Sequence, residues 1–243
     1  MRMLRIFSLE LRRLMKSRLS CLVMLLTVLS PLTGLILYKP ATASTMLSMY
    51  LANPALAGGV AGGILFGLLT VFEFDRVNRS RTEMLIDPAV SPLSMALVRL
   101  AALFAVSLLT LLVTMLIWLP VSMKLIGSVF SWLNYILAYL LFMGLALPLC
   151  ILAASCAYQF TRRSDLSIVL FAALAALSLT IWADSWQLCW LNPCVWALSD
   201  DFSNFRIFRS VAYMRLTCLT AFSGVWALSW LCIRLHGKSA LGS

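Results

Sequence analysis

One histidine, His236, serves all 243 residues. A lone imidazole excludes a two-histidine zinc site within the chain, and its place near the C-terminus, outside the apolar runs, leaves a serine within them without the base that a hydrolytic triad needs. Carboxylates are scarce as well, nine in total. Glu73 and Asp75 stand at the end of an apolar run, and Asp165 and Asp184 stand near other run boundaries. None falls mid-run as half of an acidic pair, which is the equipment that a buried proton relay uses. No G-x-x-x-x-G-K-[ST] stretch occurs, so the chain carries no P-loop for nucleotide phosphates. These absences assign no catalytic residue, no metal ligand and no cofactor to the chain itself. What remains is electrostatic: residues 73–87 hold four acids and the arginines Arg76, Arg79 and Arg81. That density of both signs suits docking to a charged partner. One redox feature stands apart. Cys189 and Cys194 lie five residues apart, and a disulfide and two buried thiols both remain open for them.

Such residues need a scaffold, and composition says which kind. Hydrophobic residues make up 62% of the chain and charged residues 12%, against about 45–50% and about 25% in soluble domains. Apolar runs near 20 residues match the length of helix that crosses a hydrocarbon core of about 30 Å. The fold class is therefore an all-α membrane protein, with spans expected at about 19–38, 51–73, 97–119, 133–157, 166–183 and 211–233. A soluble enzyme and a nucleic-acid-binding domain are excluded, despite the net charge of +10.

Six spans put both termini on one side. Fourteen of the nineteen Lys and Arg residues fall on that side in this arrangement, while Lys39, Lys124, Arg206, Arg209 and Arg215 fall on the other. Basic residues stay in the cytoplasm, so both termini are expected there, with the protein in a bacterial cytoplasmic membrane. A basic start of about 18 residues before the first span is too long for a cleaved signal peptide. Residues 1–18 form a unit of their own. Leu4, Phe7, Leu11, Leu14 and Met15 share one helical face, and Arg2, Arg5, Arg12, Arg13 and Lys16 share the other. This pattern predicts an amphipathic helix lying on membrane lipid, feeding the six-helix domain 19–243. A basic anchor that only sets topology fits the same residues.

The second span carries Gly58, Gly59, Gly62, Gly63 and Gly67 at near-helical spacing. Small residues let another helix approach closely. That helix can belong to this chain, to a second subunit or to the wall of a translocation path. Pro31 and Pro148 fall inside the first and fourth expected spans, where a missing N–H bends a helix.

The loop after the second span reads Glu73-Phe-Asp-Arg-Val-Asn-Arg-Ser-Arg-Thr-Glu-Met-Leu-Ile-Asp-Pro-Ala-Val-Ser-Pro92. A short helix over about 79–86 is expected to stop before Pro88. Met84, Leu85 and Ile86 give it an apolar patch among the charges. Arg79, Glu83, Leu85, Val90 and Ser91, followed eight residues later by Arg99, resemble the motif after the second helix of ABC-2 type transporter permeases. That motif runs approximately Glu-Arg-Gly-Thr-x-Glu-x-Leu, then Pro-Val-Ser, then a basic residue. Asn78 replaces its first glutamate, Ser80 its glycine and Ala89 its proline, which is displaced to Pro88. Six spans and a basic amphipathic start extend the resemblance to the whole chain in topology.

The resemblance implies a permease subunit that pairs with a second copy or a homologous permease. Each would sit on a separate ATPase subunit, which binds the ATP and Mg. The region 74–92 would be the coupling loop, with Arg76, Arg79, Arg81, Glu83, Leu85, Val90, Ser91 and Arg99 as its contact residues. Export of a peptide, lipid-like or amphiphilic substrate is the usual direction in that family. Cytochrome c maturation permeases share a similar loop, and a membrane scaffold or sensor would use the same docking element. The second loop, about 184–210, contains Trp186, Trp190, Asn192 and Pro193. Tryptophan favours the membrane–water boundary, so these rings are expected at interfacial depth. By resemblance, two short re-entrant helices are expected around Asn192-Pro193.

Overall fold

Backbone in hydrocarbon must satisfy its own hydrogen bonds, and a helix does so within one segment. The computed structural model describes residues 2–41, 44–79, 92–179, 189–193, 198–200 and 204–239. Every regular element among the described residues is helical. In chain order these are α1 (Arg2–Lys16), α2 (Arg18–Leu29), α3 (Pro31–Ile36), α4 (Asn53–Arg79), α5 (Pro92–Ile126), α6 (Trp132–Ala138), α7 (Ala146–Thr161), α8 (Ser164–Leu179) and α9 (Phe205–Ser239). A π-helical turn over Ser48–Ala52 leads into α4, and another over Tyr139–Gly144 joins α6 to α7.

Among the described residues, five helical runs are long and apolar enough to cross a membrane: Arg18–Ile36, Ser48–Arg76, Leu93–Val129, Trp132–Thr161 and Phe205–Leu231. They coincide with five of the six expected spans, and the third is far longer than residues 97–119. The expected span 166–183 meets α8, whose 16 described residues cover about 24 Å; residues 180–183 lie outside the described residues.

The two prolines expected to bend spans fall where they cost little. Pro31 opens α3 just past the break at Ser30, and the Ser30 hydroxyl donates to the Thr27 carbonyl at 2.6 Å. Pro148 lies in the first turn of α7, directly after the π turn. Both expected kinks are thus helix restarts, at positions where proline's missing N–H is least needed.

Helix α4 is the centre of the bundle. Leu56, Phe66, Leu69 and Val71 are buried on different sides of it, and it packs against α7, α2, α3 and α8. Its glycines make this possible, all within one chain. Gly58 lies against Pro31 and Met143, Gly62 against Thr27 and Leu147, and Gly67 against the Phe171 ring. Gly59 abuts the Phe142 carbonyl in the second π turn, and Gly63 abuts Cys150. Helix α9 packs on α7 and leaves Tyr213, Leu216, Val225, Leu228 and Leu231 exposed.

Candidate functional site

The most charged part of the structure lies where α1, α4 and α5 meet. Phe7, Leu11 and Leu14 turn the apolar side of α1 into the core, while Leu4 and Met15 of the same expected face stay exposed. This packing seats the other side of α1 beside the last turns of α4. Arg13 bridges two carboxylates there. Its Nε donates to Glu10 Oε2 at 2.6 Å, and its Nη2 donates to Glu73 Oε2 at 2.5 Å. Arg99 on α5 approaches Glu10 Oε1 at 3.7 Å. The chain Arg99–Glu10–Arg13–Glu73 therefore ties three helices together through charge.

Burial decides how much these pairs matter. The Glu73 side chain is 7% exposed and that of Arg13 is 29% exposed. Burial alone would lower the Arg13 pKa, but Glu73 and Glu10 outweigh it and hold the pKa above its usual value. A carboxylate as enclosed as Glu73 is costly without its cation. Beside it, Asp75 accepts a hydrogen bond from the Tyr158 hydroxyl at 3.4 Å, and the Phe74 and Tyr158 rings meet at 6.0 Å. The end of α4 is thus joined to α7 as well.

The cluster sits on both stems of the charged loop. Arg76 is exposed near the end of α4, and Arg79 closes that helix. Arg99 lies seven residues into α5. Arg81, Glu83, Leu85, Val90 and Ser91 fall outside the described residues, as does the helix expected over 79–86 beyond Arg79. Glu10 was missed by motif reasoning. Its signal was available, because it is the one acid in the basic first 18 residues and stands three positions before Arg13.

A second polar region lies inside the bundle. Segment 189–193 was expected as an outer loop, yet Cys189, Trp190, Leu191 and Pro193 are buried. Leu191 lies beside Gly63, midway along α4. The Leu191 N–H donates to the Ser178 hydroxyl at 3.0 Å, near the end of α8. Trp190 meets the Phe222 ring edge-on at 5.4 Å, about 25 Å along α9 from Phe205. Trp190 is therefore packed in the core of the chain. Residues 189–193 enter the bundle without forming helix. Trp186 and Cys194 lie outside the described residues.

Arg215, counted with the basic residues of the outer side although the expected span 211–233 contains it, lies inside the bundle. It is fully enclosed and its Nη2 donates to the Leu191 carbonyl at 3.0 Å. A single charge barely lowers the average hydropathy of the long apolar run 211–233.

The far end of the bundle is held by neutral polar contacts and one carboxylate. Asp200 accepts the N–H groups of Met46 and Leu47 at 3.0 and 2.9 Å. The Ser48 hydroxyl accepts the Leu198 N–H at 2.8 Å. The segments before α4 and before α9 are thereby pinned together. No protein-family model matches the chain, and no curated protein or solved structure matches it.

Proposed function

We propose that the chain is the permease subunit of an ATP-driven transporter of the ABC-2 type. In this reading α1 lies at the cytoplasmic interface, both termini are cytoplasmic and α8 with the following segment completes a sixth crossing. A separate ATPase subunit binds ATP and Mg and docks on the loop between α4 and α5. A second permease copy or a homologous permease completes the pathway, and an amphiphilic substrate leaves through it.

The observation that supports this most is the Arg99–Glu10–Arg13–Glu73 chain. Any force applied to the loop reaches α4 and α5 at their stems, and the charge chain passes it to α1. A coupling element requires that rigidity, because a loosely hinged loop would absorb the motion. A passive topology signal has no need of a buried carboxylate paired at 2.5 Å.

The test is purification of the tagged chain from its native membrane in mild detergent, with co-purifying chains identified by mass spectrometry. The expected result is an ATPase subunit carrying a P-loop, present in stoichiometric amount. Recovery of the chain alone, or with a partner that hydrolyses no nucleotide, would overturn the proposal and favour a channel or scaffold.

A further inference from the structure

Arg215 is a charge with too few partners. It has 0% exposure, and it lies ten residues after Phe205, about 15 Å along α9. A guanidinium carries five N–H donors and does not lose its proton in proteins. One of its nitrogens, Nη2, reaches the Leu191 carbonyl. Among the described residues, Nε and Nη1 have no hydrogen-bond partner, which leaves their three N–H donors unused.

The surroundings offer no counter-ion among the described residues. Cys150 on α7 and Cys218 on α9 are the ionisable groups near it, and both are thiols. The described carboxylates are engaged elsewhere. Glu10 and Glu73 hold Arg13, Asp75 holds Tyr158, Asp165 meets Ser164, and Asp200 holds backbone N–H groups. Removing a cation from water without a partner costs several kcal/mol. Charges kept inside membrane proteins at that cost mark substrate or ion pathways.

The position suits a pathway. Gly63 of α4, Cys150 of α7 and Leu191 converge beside the guanidinium. Helix, helix and non-helical segment therefore meet around one cation in the middle of the bundle.

We propose that Arg215 binds the anionic group, carboxylate or phosphate, of an amphiphile that passes between α9 and segment 189–193. This rests on the transporter reading and adds the substrate's charge to it. In the conformation described here the guanidinium is sealed, so binding requires α9 to part from Leu191. The Nε and Nη1 donors then meet oxygens that no group among the described residues supplies.

The experiment follows thermal unfolding of the purified chain in a maltoside detergent, with Arg215→Met and Arg215→Lys beside wild type. Oleate supplies the carboxylate and dodecyl phosphate the phosphate. Dodecyltrimethylammonium is the cationic control. At about a hundredfold excess over Kd the better anion should raise the wild-type Tm by about 5–10 °C. Arg215→Lys should keep part of that rise. Arg215→Met should unfold at a higher temperature than wild type without ligand, and should not respond to either anion. Which anion acts identifies the headgroup chemistry. An Arg215→Met variant that fails to fold would show a structural role and overturn the proposal. So would a wild type indifferent to both anions, or an equal response in Arg215→Met. An anion response in a chain that recruits no ATPase would keep the site and remove the transporter. An ATPase partner without an anion response would do the reverse.

Discussion

Replacing Gly59 with alanine adds one methyl group, and the structure says where it goes. The new Cβ would stand 2.2 Å from the Phe142 carbonyl oxygen, 3.1 Å from its carbon and 3.2 Å from Met143 Cα. Carbon–oxygen contacts normally begin near 3.3 Å, so the two helices must part by about 1 Å. Backbone atoms cannot rotate away as a side chain would. Overpacking of this kind costs about 1–3 kcal/mol, and a backbone clash belongs at the upper end. Alanine returns about 1 kcal/mol through its helix propensity. The net loss is about 2 kcal/mol, or about 4–8 °C in Tm for a chain of this size. Gly224 supplies the control, since nothing lies within 4 Å of its added Cβ. Gly224→Ala should gain about 0.5–1 kcal/mol and unfold at a slightly higher temperature. Thermal unfolding of both variants in detergent, followed by tryptophan fluorescence, reads the two signs directly. If Gly59→Ala proved as stable as Gly224→Ala, the close approach of α4 to the Tyr139–Gly144 turn would be refuted.

Two further outcomes follow from named contacts. A double-mutant cycle on Arg13→Ala and Glu73→Ala should give a coupling of about 1–3 kcal/mol in unfolding, because one partner is enclosed and the other partly exposed; additive effects would mean that the pair carries nothing. Ser178→Ala leaves the Leu191 N–H without its acceptor inside the bundle and should cost about 1–3 kcal/mol. Hydrogen exchange at the Leu191 amide should quicken in that variant, and an unchanged rate would place segment 189–193 elsewhere.

Long apolar runs made the helices legible before any coordinates, and small residues at helical spacing marked α4 as a helix that others approach closely. The partners were not legible. Gly59 and Gly63 read equally well as a subunit face, and only packing assigns them to Phe142 and Cys150. The fifth run is followed only to Leu179 among the described residues, and apolar composition alone does not say whether such a run makes a full crossing. Trp190's ring suits both a membrane interface and a core, and its contact with Phe222 could not be read from the sequence. Ion pairing between distant elements leaves no pattern in one sequence. Glu10 and Glu73 are more than 60 residues apart and acquire a common meaning only when α1 folds back beside α4 with Arg13 between them.

The measurement closest to the central claim is ATP turnover by the co-purified complex in liposomes, wild type against Glu83→Ala. Coupling through the loop between α4 and α5 predicts that the variant still assembles with its ATPase but loses membrane-dependent stimulation of hydrolysis. Unchanged turnover in a fully assembled Glu83→Ala complex would contradict the account.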